Sequence, residues 1–320
     1  MAANQSWFLR LIGLECAHPA HGKDSFVCRC ATNWPSPMGK NHKGLTVIWI
    51  PDMEGPREDD EAIKAWLLLY KNSEYELPNE FLFEELSSYN KSFLQRVCHE
   101  VDSRVKCGIP IRIWSAGSGI DPVSMKLKEI FRDKIELTIL DVSPECIHMN
   151  EAAFEKRGLH ADFVVGNLFE AKYEQRFDIV MNTGLLEHFS THGQTDLLRI
   201  FSNSLKPGGV YLTYVPYAGG RLYKYCMERM IRIGNWKVGP EVPIETFREM
   251  NIEGLVLVEE YPLDALYQLA FLRGAFPILG ILTLPVVMVI TRLPSVFELP
   301  FLRLISGYGL FAEFRRIEGV

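Results

Sequence analysis

Apolar residues along this chain fall into two alternating rhythms. Short runs rich in β-branched and aromatic types read as buried strands at residues 111–114, 136–142 (ELTILDV), 161–167 (ADFVVGN), 177–182 (FDIVMN) and 210–217 (VYLTYVPY). Between them, residues 144–157 and 195–205 read as helices, the second closed by Lys206-Pro207-Gly208-Gly209. Strands that alternate with helices at even spacing predict βαβ units and a doubly wound parallel sheet. Upstream, Phe81, Leu82, Leu86, Tyr89, Phe93, Leu94, Val97 and Val101 recur at helical spacing, which predicts a helix within 79–105. Downstream, residues 254–261 and 308–316 read as two more strands. The 46 residues separating them, 262–307, carry only Asp264, Arg273, Arg292, Glu298 and Arg303 as charges.

The turn after the first strand is built from small residues alone: Ser115, Ala116, Gly117, Ser118 and Gly119. Asp121-Pro122 then marks a helix start, with proline at the first helical position. Small side chains let backbone approach a ligand closely, and the helix behind them presents unpaired N–H groups. That arrangement suits a nucleotide at the carboxyl end of a strand. The dinucleotide pattern GxGxxG and the phosphate loop GxxxxGK[ST] are both absent. Asp141 ends the second strand about twenty residues on, where doubly wound folds place the acceptor for ribose hydroxyls.

Five motifs follow one another in order: SAGSG, LDVS around Asp141, GN at Gly166-Asn167, FDIVMNTGLLEHF, and LKPGGVYL. Together they resemble the class I S-adenosylmethionine-dependent methyltransferases over residues 108–217, with a weaker match to the end. LLEHF followed by LKPGG is similar to the small-molecule branch that includes ubiquinone-biosynthesis O-methyltransferases. The resemblance implies a Rossmann-like α/β fold whose sheet is mostly parallel with an antiparallel last strand. S-adenosyl-L-methionine would be the cofactor. Ser115, Ala116, Gly117, Ser118 and Gly119 would wrap its methionine portion, Asp141 with Val142 would meet the ribose, and Asn167 and Leu168 would edge the adenine. Asn182 and Thr183 would line the floor.

Two departures stand out. The family usually has an acid where Ile113 stands and a glycine where Ser115 stands. RIWSAG instead resembles the first motif of chemotaxis-receptor carboxyl methyltransferases, where an acid after the loop serves the cofactor. Asp121 is the stand-in here, either meeting the methionine ammonium or serving as a plain helix cap. His188, with Glu187 before it, is the candidate general base, because an imidazole titrates near neutrality; packing is the competing reading. Ubiquinone-type relatives can hold a divalent metal with E-x-x-E-H. Here Gly184 replaces the first acid, so no metal is expected. His192, Tyr214, Tyr217, Tyr223 and Tyr225 fall on segments that line the acceptor pocket in the family, and are equally well explained as core.

Composition narrows the setting. With 320 residues, 48% apolar and 23% charged, the chain is globular. A net charge of −6 argues against a nucleic-acid substrate. Seven cysteines and no secretion signal lead us to expect a cytoplasmic protein with reduced thiols. Residues 1–75 form an extension of unassigned role, with a strand at 44–50 and an acidic loop at 54–61. Residues 76–106 are a helical lead, and 107–320 form the catalytic domain with an apolar insertion at 262–307. In the extension, Cys16, His18, His21, Cys28 and Cys30 are side chains zinc prefers, but their spacing matches no structural zinc pattern.

Residues 275–291 are uncharged. Three readings compete: a spanning helix interrupted by Pro277, Gly280 and Pro285, an element resting on a membrane surface, or an apolar lid or homodimer face. The last two imply a greasy substrate. The expected activity is methyl transfer to an O or N atom of a small, apolar or lipid-linked acceptor. Carboxyl methylation is the alternative suggested by RIWSAG, and a non-catalytic scaffold is the one suggested by Ile113.

Overall fold

The computed structural model describes residues 39–40, 46–47, 63–64, 86–105, 109–236, 239, 241–290 and 307–317. The Cys16/His18/His21/Cys28/Cys30 cluster, the acidic loop 54–61, residues 79–85 and residues 291–306 lie outside the described residues. Of the strand expected at 44–50, the described part is β2 (Thr46–Val47), antiparallel to β1 (Gly39–Lys40).

The helical lead is α1 (Ser88–Arg104). Ser87 caps it by accepting from Asn90 N, and Phe93, Val97 and Val101 form its buried stripe. The βαβ units follow as β3 (Ile111–Ala116), α2 (Pro122–Phe131), β4 (Ile135–Asp141), α3 (Pro144–Lys156), β5 (Asp162–Val165), β6 (Phe177–Thr183), α4 (Thr191–Ser204) and β7 (Leu205–Pro216). Helix α4 starts a turn earlier than periodicity predicts, because Ser190 accepts from Gly193 N and caps it there. The expected Lys206–Gly209 turn lies within β7, between the pairs Phe177↔Leu205 and Ile179↔Val210, as a bulge.

The sheet order is β5-β4-β3-β6-β7-β9-β8. Strands β3 to β7 are parallel, while β9 (Gly309–Arg316) runs antiparallel to both β7 and β8 (Leu255–Leu263). The final strand therefore inserts between its two predecessors. One face of the sheet buries Ile113, Ile139, Ile179 and Met181 against α1, α2 and α3. The other buries Trp114, Val180 and Tyr211 against Leu197, Leu198 and Phe201 of α4. Residues 209–216 and 177–183 are near-continuously buried, as a sheet covered on both faces requires.

Chain order reverses between β3 and β6: β4 and β5 lie to one side of β3, β6 and β7 to the other. The connections after β3 and β6 diverge there, and a crevice opens at the carboxyl ends of both strands. After β7, α5 (Arg221–Arg232) leads away, and beyond β8 come a 3-10 segment (Ala265–Phe271), α6 (Leu272–Ala275) and α7 (Pro277–Ile290). At 14 residues α7 is about 21 Å long. No helix of the described residues is long and apolar enough to cross a membrane, so the spanning reading of 275–291 finds no support there.

Candidate functional site

The crevice has a volume of about 380 Å³, within the range of small-ligand sites. Its floor is the turn after β3. Gly117 has φ +62°, and a Cβ built on it would sit 2.5 Å from Leu185 Cδ1. The backbone conformation demands glycine, and a side chain there would also have to push the end of Leu185 aside. Gly117 N donates to Leu140 O at 2.8 Å, which ties the turn to the end of β4.

Asp141 organises this floor. Its Oδ2 accepts from Gly119 N at 2.7 Å and its Oδ1 from Ser143 N at 2.8 Å. Each oxygen keeps a further lone pair, and the carboxyl lines the crevice while only 7% exposed. Burial pushes its pKa up, and the backbone donors from Ser143 and Gly119 offset part of that. Asp121 caps α2 by accepting from Ser124 N at 2.8 Å, and its other oxygen accepts from Ser115 Oγ at 2.6 Å. Burial raises its pKa too, against those two hydrogen bonds. Asn150 of α3 locks the loop from behind: its Oδ1 accepts from Asp121 N, and its Nδ2 donates to Gly119 O at 2.7 Å.

The expected cofactor residues separate into two groups. Gly117, Ser118, Gly119, Asp121, Asp141, Val142, Asn167, Leu168 and Thr183 all line the crevice. Ser115, Ala116 and Asn182 do not. Ser115 acts behind Asp121, and Ala116 packs in the layer under α4. Asn182 donates to Tyr211 OH at 2.9 Å and accepts from Thr213 Oγ1 at 2.7 Å, in the same buried layer as Val180.

Beyond the loop, the crevice wall is Tyr89, Glu187, His188, Tyr214, Pro216, Glu241 and Tyr308. Glu187 and His188 sit on a short 3-10 turn after β6, with His188 Nε2 3.8 Å from Glu187 Oε1. Glu241 arrives from residues beyond α5. Val242 N donates to Glu187 O, and Ile244 N to Pro216 O, which pin that segment against the ends of β6 and β7. Tyr223 OH donates to Glu241 Oε2 at 2.5 Å. Glu187 is 2% exposed, and its Oε2 has no hydrogen-bond partner. Burial, then the charge of Glu241, pushes the Glu187 carboxyl well above its ordinary range, and burial takes Glu241 to about 7.

Of the aromatics flagged by sequence, Tyr214 lines this wall and Tyr223 stands behind it, bonded to Glu241. Tyr217 packs partly buried under the α4 layer. Tyr225 is exposed and stacks on Phe276, and His192 is exposed beside Asp196. Sequence reading missed Glu241, Tyr89, Tyr308, Asn150 and Ile63, which also lines the crevice. Tyr89 carried a signal as part of the α1 stripe; Glu241, Ile63 and Tyr308 carried none.

The fit to a sulfonium nucleoside rests on the crevice itself. Ser118 Oγ is buried without a partner, Gly117 holds a left-handed backbone conformation that favours glycine, and Asp141 has lone pairs to spare. Among the described residues, Glu187, His188 and Glu241 are the group of three donors that could hold a metal ion. Glu241 thus brings a second carboxyl beside Glu187 and His188, where the motif has Gly184 in place of its first acid.

The family described as a methyltransferase domain matches residues 113–209. No curated protein matches the chain at the sequence level. Among solved structures, one from a study of disulfide-to-thioacetal conversion in echinomycin biosynthesis aligns at TM-score 0.51, with 16% identity over 81% of this chain and 94% of that one. A putative sarcosine dimethylglycine methyltransferase from Galdieria sulphuraria aligns at 0.49, with 14% identity over 82% and 100%. The N-methyltransferase NodS from Bradyrhizobium japonicum, in complex with S-adenosyl-L-homocysteine, aligns at 0.47, with 14% identity over 78% and 99%.

Proposed function

We propose that this chain is a class I S-adenosylmethionine-dependent methyltransferase, a reading supported by the match of residues 113–209 to a methyltransferase domain, and that it moves the methyl group to an O or N atom of a small acceptor with an apolar body. The observation that carries the acceptor reading is the continuity of one crevice. A floor suited to a nucleoside runs directly into a wall of tyrosines and buried carboxyls. O and N acceptors must shed a proton; the wall holds groups able to take one.

The cofactor supplies a methyl carbon already activated by its sulfonium, so the protein's task is positioning and proton removal. Asp141 accepts from the ribose hydroxyls with the lone pairs its backbone donors leave over. Backbone at Gly117–Gly119 and the Ser118 hydroxyl meet the methionine portion, and Asp121 offsets its ammonium charge while capping α2. Asn167 and Leu168 edge the adenine. Tyr89, Tyr214 and Tyr308 form a stacked and tilted group with centroids 6.0–6.5 Å apart. They enclose the acceptor and keep water from it, and their burial keeps Tyr89 and Tyr308 neutral. Glu187, with His188 and Glu241 beside it on this wall, is the group that takes the departing proton.

The test has two steps. Calorimetric titration with S-adenosylhomocysteine should give one site per chain. Transfer of label from methyl-tritiated cofactor into an extract of small molecules should then give a labelled product. Binding without any transfer would leave a scaffold and remove the enzymatic reading.

A further inference from the structure

We propose that the acceptor is a protonated amine, held by Glu187 and Glu241 against the faces of Tyr89, Tyr214 and Tyr308. The inference rests on the methyl-transfer reading above and narrows its acceptor. Two carboxyls share one wall of the crevice, and its lining among the described residues holds no lysine or arginine, with His188 the one basic side chain beside them. Glu187 Oε2, buried and unpartnered, is a polar atom that folding left without a donor. Burying such an atom costs free energy unless something arrives to satisfy it. An ammonium does so with up to three N–H donors, one for Glu187 and one for Glu241, whose Oε2 already holds Tyr223. The tyrosine faces add the attraction of a ring quadrupole for a cation within about 6 Å. A neutral alcohol offers one donor and no charge.

A divalent metal is the competing occupant. Ligand atoms bound at about 2.1 Å in tetrahedral or octahedral geometry lie roughly 3.0–3.4 Å apart when adjacent. Glu187 Oε1 and His188 Nε2 are 3.8 Å apart, and the three donors lie within 4.8 Å of one another. That spacing is loose for a metal and comfortable for hydrogen bonds of about 2.8 Å around a nitrogen.

The step balances without a further reactant. The ammonium nitrogen gives one proton to the Glu187–Glu241 pair and so regains its lone pair. That lone pair forms the C–N bond as the carbon–sulfur bond breaks. The positive charge passes from sulfur to the methylated nitrogen, and a neutral thioether is left.

The probes are n-hexylammonium chloride and hexan-1-ol, titrated calorimetrically into protein already loaded with S-adenosylhomocysteine. The expected result is an ammonium preference of about tenfold or more, lost in Glu241→Gln and Glu187→Gln while S-adenosylhomocysteine still binds. Equal affinity for amine and alcohol would overturn the proposal. So would binding of manganese, magnesium or zinc chloride that outcompetes the amine and is lost in the same variants. Failure of S-adenosylhomocysteine to bind at the loading step would instead remove the reading on which the proposal rests.

A second observation stands apart from the crevice and points to an anionic membrane surface. Helix α7 exposes Ile278, Leu279, Ile281, Leu282, Val286 and Val289 over an arc of roughly 160°, with Ile278 and Leu282 80% and 71% exposed. Its opposite side is seated: a Cβ on Gly280 would fall 2.1 Å from Arg273 Cα. Next to its start, α5 stacks Tyr225 on Phe276 and lays the Arg229 guanidinium over the same ring. The exposed side of α5 carries Arg221, Lys224 and Arg232 against one acid, Glu228. We infer that α7 lies in the interface of an anionic bilayer: its exposed arc is apolar, its 14 described residues reach about 21 Å, and it is flanked by a basic strip on an acidic protein. The protein should float with vesicles of phosphatidylcholine plus phosphatidylserine, less with phosphatidylcholine alone. Ile278→Asp with Leu282→Asp, or Lys224→Glu with Arg232→Glu, should cut flotation roughly tenfold. Absence of flotation would overturn the inference, as would a dimer in solution that the first pair of substitutions dissociates.

Discussion

Replacing Asp141 by asparagine isolates the role of one carboxyl. In the folded chain both oxygens take a backbone N–H, from Gly119 at 2.7 Å and Ser143 at 2.8 Å. Their remaining lone pairs face the crevice, where two ribose hydroxyls would donate. An amide keeps one accepting oxygen, and its nitrogen must confront either a backbone donor or a hydroxyl. Hydrogen bonds to a charged acceptor are worth about 1.5–3 kcal/mol each; losing one and making the other neutral costs about 2–3 kcal/mol of ligand binding. That corresponds to roughly 30- to 150-fold in Kd for S-adenosylhomocysteine, read by calorimetry. The paired control is Asn182→Ala. Its side chain bonds Tyr211 and Thr213 away from the crevice, so stability should fall by about 1–3 kcal/mol with the affinity unchanged. An Asp141→Asn protein that folds and binds within about threefold of the wild type would refute this reasoning.

Further tests bear on neighbouring features. Gly117→Ala forces φ +62° on a residue with a Cβ and drives that atom toward Leu185, so the affinity for S-adenosylhomocysteine should drop about tenfold or more. Adding Leu185→Ala relieves the contact but not the backbone, and full recovery by titration would show the conformation to be irrelevant. Glu241 holds its proton up to about 7 in the fold, against an ordinary value of 4.5, so the folded chain retains a proton that the unfolded chain has released. Stability should therefore fall as pH rises from about 4.5 to 7, by about 3 kcal/mol from this group. Denaturant titrations at pH 5 and pH 7.5 should show that slope, reduced in Glu241→Gln; a slope that rises with pH would contradict it.

What was legible in the sequence is what short-range physics writes there. The strand–turn–helix at 111–122 declared itself because only glycine and small residues serve such a turn, and Asp141 followed from its place at the end of the next strand. The period of two within β6 separates Ile179 and Met181 from Val180 and Asn182, a parity that the expectation of Asn182 on the crevice floor overlooked and that the fold shows puts it on the α4 side. Glu241 was not legible. It sits in a stretch of prolines and turns without periodicity, and two backbone hydrogen bonds to distant elements bring it to Glu187. Reading Gly184 as the loss of an acid was sound for the motif, but it could not register a carboxyl returning from 57 positions away. Asn150 escaped for a related reason, since a buried polar residue on a helix shows its purpose only when the loop it braces is in place. The insertion at 262–307 announced its apolar character, and the fold added which face of α7 is seated and which is exposed.

The central claim is that the crevice between β3 and β6 seats a sulfonium nucleoside on bare backbone, with its methyl facing Glu187. The most direct measurement is a crystal structure of the full chain with S-adenosylhomocysteine. The expected result is ribose hydroxyls on Asp141, the methionine portion along Gly117–Gly119, and the sulfur turned toward Glu187 and Tyr89. A nucleoside bound elsewhere, or a crevice closed by Leu185 with no ligand in it, would contradict it.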